Sequence, residues 1–140
     1  MIKRVLLLTM LLLPVSSVNA TTINREDKML EYSEEEIALM ERLTMSEAGV
    51  EPYECKVATL VTVLKRAKMY DKSIAEVIYE PWQYSLANNG KPTAEVKEAV
   101  IEAVEKEEEY PDNMIYFRAD YYHPFGTPYM SVGNHYFSLN

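Results

Sequence analysis

The sequence predicts one mostly helical α+β domain closed by a small antiparallel pair of strands. Three observations carry that expectation. Four segments space their apolar residues at helical intervals, and three of them open on a capping residue. Two short runs rich in β-branched and aromatic residues come only at the end, Met114–Phe117 and His135–Leu139. Between residues 33 and 140 no low-complexity linker, repeat or composition break divides the chain, so the helices and strands share one core.

The first twenty residues are read apart from that domain. Lys3 and Arg4 precede an apolar run from Val5 to Leu13, then Pro14 and a small-residue exit ending Val18-Asn19-Ala20. This is the pattern of a secretory signal peptide cut after Ala20. Its unbroken apolar stretch is too short for the roughly 30 Å of a bilayer core, so no membrane anchor is expected after cleavage. Residues 21–32 are polar, mixed in charge and without period, and are expected to form a flexible leader.

Ser33-Glu34-Glu35-Glu36 reads as a capping box. Ile37, Leu39, Met40 and Leu43 then give the stripe of a helix running to about Ser46, with Gly49 as its stop. Pro52 suits the first turn of a second helix, in which Val57, Leu60, Val61 and Leu64 follow at i, i+3, i+4, i+7. That helix is expected to be the buried one. Ser73-Ile74-Ala75-Glu76 is a second capping box, opening a short helix that Glu80-Pro81 closes. Residues 82–91 read as loop, with turn chemistry at Asn88-Asn89-Gly90. Val96, Ala99, Val100, Ala103 and Val104 mark a fourth helix, whose acidic end Glu105–Glu109 reads as solvated. Between the two strands lies an aromatic loop, 121–129.

Charge and cysteine usage narrow the function classes. The whole chain carries a formal charge of −8; without the leader it has twelve basic against twenty-two acidic side chains and stands at −10. That balance argues against nucleic acid as a partner. Cys55 is the only cysteine, so no internal disulfide is available to an exported chain. Neither histidine, His123 or His135, has a nearby Cys or His at ligand spacing, so no metal site is expected.

The candidate chemistry begins at Glu47, which lies between two helical patterns. A carboxyl held where packed helices meet is shielded from water, which raises its pKa and suits it to general-acid work such as glycan cleavage. On composition alone, a solvent-facing glutamate at a helix end is the commoner fate of such a residue. Glu51 reads as a capping charge for the second helix and Glu54 as solvent-facing, leaving no convincing second carboxylate. Trp82, Tyr84, Tyr116, Tyr121, Tyr122 and Tyr129 could stack on sugar rings, or fill a core with hydroxyls at the surface. Cys55 reads as a small buried thiol rather than a nucleophile.

Taken together, these segments resemble the SleB/CwlJ cell-wall hydrolase family. Glu47-Ala48-Gly49-Val50-Glu51-Pro52-Tyr53-Glu54 is similar to its opening Glu-Ala-Arg-Gly-Glu-Pro block. Val57-Ala58 with Val63-Leu64-Lys65-Arg66 resembles its second helix, which normally ends in Asn-Arg. Val77-Ile78-Tyr79-Glu80-Pro81-Trp82-Gln83-Tyr84-Ser85 resembles its Val-Ile-Tyr…Gln-Phe-Ser segment. Ile115-Tyr116-Phe117 and Val132-Gly133-Asn134-His135-Tyr136-Phe137 resemble Leu-Tyr-Phe and Ile-Gly-Asn-His-x-Phe. Gly49-Val50 stand for Arg-Gly, Cys55-Lys56 stand near the usual Gly-Gln, and Lys65 replaces Asn.

The resemblance runs from about residue 36 to 138 and implies a cell-wall hydrolase catalytic domain over residues 33–140, with a lysozyme-like α+β fold and a single catalytic glutamate, Glu47. It implies cleavage of the β-1,4 bond between N-acetylmuramic acid and N-acetylglucosamine in peptidoglycan, as a lytic transglycosylase. There the muramoyl 6-hydroxyl is the nucleophile and no second carboxylate is needed. Gln83, Tyr84, Ser85, Tyr116 and Tyr122 would line the substrate groove. No cofactor or metal is expected, the partner is the glycan strand, and the location is secreted or periplasmic. The alternative is a non-catalytic glycan-binding or structural protein on the same fold.

Overall fold

The computed structural model describes residues 27–140; the predicted signal peptide 1–20 and residues 21–26 of the leader lie outside the described residues. From Glu34 on, the described residues form the helices α1 (Glu34–Ala48), α2 (Tyr53–Tyr70), α3 (Ile74–Ile78) and α4 (Ala94–Lys106). A 3₁₀ turn, Glu107–Glu109, leads to β1 (Met114–Ala119), β2 (Thr127–Val132) and β3 (His135–Leu139). This is the α+β arrangement the sequence predicts.

Helix starts are set locally. Ser33 Oγ accepts from Glu36 N at 3.1 Å while Glu36 Oε2 accepts from Ser33 N at 2.9 Å. Ser73 and Glu76 repeat the exchange at 3.1 and 2.8 Å. Thr93 Oγ1 accepts from Val96 N at 3.1 Å and starts α4. Each such cap stabilises its helix by about 1 kcal/mol. Helix α1 ends at Gly49 as expected, but Gly49 keeps a right-handed φ of −57°.

Helix α2 is the centre of the domain. All twelve residues from Cys55 to Arg66 are buried, so it is enclosed on every side rather than along one stripe. Its cations are therefore buried too, and each has partners. Lys65 Nζ lies 3.0 Å from Asp112 and 3.6 Å from Glu107, Lys56 Nζ lies 3.2 Å from Glu95, and Arg66 Nε donates to Ile115 O at 2.8 Å. An unpaired charge there would be too costly to ionise. This revises the reading of the acidic run: Glu107 is only 4% exposed, and Lys68 Nζ approaches its Oε1 at 2.6 Å. Its burial is the counterpart of a lysine that the enclosed helix could not leave alone.

The sheet has the order β1-β3-β2, with β3 central and antiparallel to both neighbours. Phe137 is paired with Phe117 on one side and Met130 on the other. Strand β2 starts at Thr127, inside what the sequence presents as aromatic loop. It carries Pro128 and buries little, Met130 and Val132 only partly, so it lacks the apolar alternation that marks a strand. Proline is tolerated because β2 is an edge. Nor is the leader free throughout. Lys28 Nζ donates to Glu105 O at 3.0 Å, and Met29 and Tyr32 pack against the core.

Candidate active site

Glu47 is the penultimate residue of α1 and is partly buried. The loop after α3 is laid along this end of α1 by three contacts. Arg42 Nη2 donates to Leu86 O at 2.8 Å, Asn88 N donates to Ser46 Oγ at 3.1 Å, and Ser85 N donates to Glu47 Oε1. Residues 42 and 46 are one helical turn apart, so α1 presents a single edge to which a loop without its own ladder is pinned. Burial raises the Glu47 pKa above the ordinary carboxylate value, and the Ser85 N–H opposes it as the smaller effect. The carboxyl thus has a fixed orientation and an enhanced hold on its proton.

His135 lies behind Glu47. His135 is 5% exposed, and its Nδ1 is 3.0 Å from Thr59 Oγ1. It stacks on Phe117 at 5.0 Å, and Phe117 in turn stacks on Tyr84 at 6.3 Å. Burial lowers the His135 pKa; the Glu51 charge and the Glu47 carbonyl oppose that shift. A neutral imidazole on β3 therefore bonds to α2 and stacks on β1, near the backbone at the end of α1. The sequence offers His135 as a metal ligand or as a late partner for Cys55, and neither reading anticipates this role. Its one signal was its place in the Gly-Asn-His block. Among the described residues no group of three or more His, Cys, Asp or Glu could hold a metal ion.

Glu51 is not the helix cap it was expected to be. Pro52 holds the N-cap position of α2 without a side-chain bond, and Glu51 Oε2 instead accepts from Asn134 N at 2.9 Å. It clasps the β2–β3 turn, where Gly133 has φ +56° and any Cβ would meet Glu51 Oε2 and Pro52 Cδ. Asn134 Nδ2 also reaches Asp120 Oδ1 at 2.9 Å. Glu54 is exposed, as expected. Cys55 is buried beside Thr59 and the His135 backbone, and burial pushes its thiol up to about 11, so it stays protonated and inert.

Beside this cluster opens a cleft of about 240 Å³, walled by the residues after α3 on one side and by β1 with its following loop on the other. Gln83, Tyr84 and Tyr116 line it, as do Arg66, Trp82, His123 and Phe125. Glu47 does not line it; the connection is Tyr84, a wall residue whose neighbour Ser85 holds the carboxyl. Tyr84 is more structural than the sequence suggests. It stacks on Phe117, and its pKa is pushed up to about 12, chiefly by burial. Tyr116 donates its hydroxyl to Asn140 Oδ1 at 2.9 Å and lies under the Arg66 guanidinium, 5.4 Å from it. Tyr122 stands apart: its ring meets Tyr136 edge-on at 5.1 Å, and strand alternation turns Tyr136 to the sheet face opposite His135.

Comparison with known proteins follows the same outline. A family model described as Cell Wall Hydrolase matches residues 50–138, with Glu47 three residues ahead of the matched stretch. The spore cortex-lytic enzyme of Oceanobacillus iheyensis is 30% identical over 95 residues, covering 64% of this chain and 34% of that protein. That of Bacillus subtilis is 30% identical over 95 residues, covering 64% and 31%. The chain thus spans about a third of the length of these curated relatives. In fold it resembles the catalytic domain of the germination-specific lytic transglycosylase SleB from Bacillus anthracis. The TM-score is 0.64 at 21% identity, over 76% of this chain and 96% of that one.

Proposed function

Starting from the chain's membership of the cell wall hydrolase family, we propose that it is an exported peptidoglycan glycosidase of lytic-transglycosylase type, with Glu47 as its one catalytic carboxyl. The observation that carries this reading is the state of Glu47: partly buried, raised in pKa, and held through one oxygen by a backbone N–H. That leaves Oε2 to carry the proton. Protonated, Glu47 gives that proton to the glycosidic oxygen as the bond from the muramoyl C1 breaks, leaving an oxocarbenium-like centre. The resulting carboxylate then takes the proton of the muramoyl 6-hydroxyl as O6 bonds to C1. The product is a 1,6-anhydromuramoyl end, and the enzyme regains its proton.

The Ser85 N–H serves both halves of the cycle. It stabilises the carboxylate that forms after the first transfer, without abolishing the burial that favours the acid before it. Gln83 and Tyr116 line the adjacent cleft and would meet the flanking sugar. With the nucleophile supplied by substrate, no second carboxyl is required, and Glu51 is already committed to the β2–β3 turn. Digestion of purified peptidoglycan in ¹⁸O-labelled water tests the chemistry. The expected products are anhydro ends without label; ¹⁸O at a new reducing end would mean hydrolysis by water. A protein that binds the wall and releases nothing would establish the non-catalytic alternative.

A further inference from the structure

Trp82 sits where backbone geometry favours glycine. Gln83 N donates to Glu80 O at 3.3 Å, closing a turn with Pro81 second and Trp82 third, and Trp82 has φ +67°. Turns with proline second and a positive φ third normally carry glycine or asparagine there, and a bulky side chain is strained. Asp71 and Asp120, the other non-glycine residues with positive φ among those described, are of a type that tolerates it. Packing does not offset the strain, because the Trp82 side chain is fully exposed, at 102%. Two unfavourable features thus coincide in one residue, at the rim of the cleft beside Glu47. Strain retained without compensation in the fold is typical of sites that meet a ligand.

The cleft supplies the rest of the argument. Lining the same cleft is Phe125, half-exposed and stacked on His123 at 4.5 Å. A lining that combines exposed aromatic side chains with Arg66 and Gln83 suits a ring with apolar C–H faces and polar edges. Its volume falls below the roughly 300–1,000 Å³ of sites enclosing drug-sized ligands, so it accommodates a single ring rather than a strand. We propose that Trp82 is a substrate-binding residue, a stacking platform for one N-acetylated sugar of the glycan next to the bond that is cut. This deepens the peptidoglycan reading and rests on it.

Trp82 is the chain's only tryptophan, so its fluorescence reports the contact directly. The probe is the N-acetylglucosaminyl-β-1,4-N-acetylmuramic acid disaccharide, which lacks the bond to be cleaved. Titration should shift the emission of the intact protein to shorter wavelength and saturate. Trp82→Ala and Trp82→Gly should weaken disaccharide binding, read by calorimetry, about tenfold, and Trp82→Tyr by less. Trp82→Gly adds a signature that a structural role would not give: relief of the strained φ should leave its Tm at or above that of the wild type while affinity falls.

Unchanged emission in a protein that releases muropeptides, or Trp82→Gly binding as tightly as wild type, would overturn the stacking role and leave the catalytic proposal standing. Saturable emission changes in a protein that releases nothing would uphold stacking and sink only the catalytic proposal.

Discussion

Replacing Glu47 by glutamine separates its chemical role from its structural one. The amide keeps shape and an acceptor oxygen for the Ser85 N–H, so the clasp that pins the loop changes from a charge-assisted bond to a neutral one, a loss of about 1 kcal/mol. Against that, the amide cannot ionise. Because burial raises the Glu47 pKa, its proton is held more tightly in the folded than in the unfolded chain. The wild type is therefore penalised for charging it as pH rises above the ordinary carboxylate range, and the variant is not. The two effects oppose, so the Tm of Glu47→Gln at neutral pH should lie close to wild type. On acidification the wild type should gain relative to the variant as its carboxyl regains the proton.

Catalysis has no such compensation. Loss of a general acid costs about 10²–10⁴ in rate, equivalent to roughly 3–5 kcal/mol of transition-state stabilisation. Release of muropeptides from purified wall, measured by mass spectrometry, should fall by that factor with the thermal melt unchanged. The wild-type pH profile should show its alkaline limb above the usual carboxylate range, where the required proton is lost. A Glu47→Gln protein that retains wild-type turnover would refute the assignment of the acid. So would one that loses activity only because it no longer melts cooperatively.

Further outcomes follow from the structure and from the sequence. Gly133→Ala places a methyl 2.7 Å from Pro52 Cδ at a φ of +56°, and should cost about 1–3 kcal/mol in urea unfolding, whereas Glu51→Gln, which keeps an acceptor for Asn134 N, should be mild in both stability and turnover. His135 has a folded pKa below its ordinary 6.5, so stability should be lost as pH falls through and below that value; His135→Phe should flatten this acid limb in melts from pH 7 to 5. Intact-mass analysis of exported protein should give a chain beginning at Thr21.

What local physics controls was legible before any tertiary structure. The two capping boxes occur as written, because a serine and a glutamate three residues apart satisfy each other's backbone without help from the rest of the chain. The stripe of α4 is buried at each of its five predicted positions, since a helix with one core face must repeat near every 3.6 residues. The strands at 114 and 135 were visible because they bury apolar residues in the core. Glu47 could be singled out from its position at a junction of two helices, and the raised pKa is the consequence that position predicts.

Tertiary structure decided the rest. Strand β2 exists because β3 offers it a hydrogen-bonding edge, not because its own residues alternate. Glu51 has Asn134 as its partner, eighty-three residues away, and Glu107 is buried because the lysines of an enclosed helix require it. The place of His135 depends on Thr59 and Phe117 arriving together around it. Periodicity and capping describe how a segment relates to itself. Which carboxylate, imidazole or indole faces which partner is set by how separate segments pack, and a list of residues in order holds no distance between them.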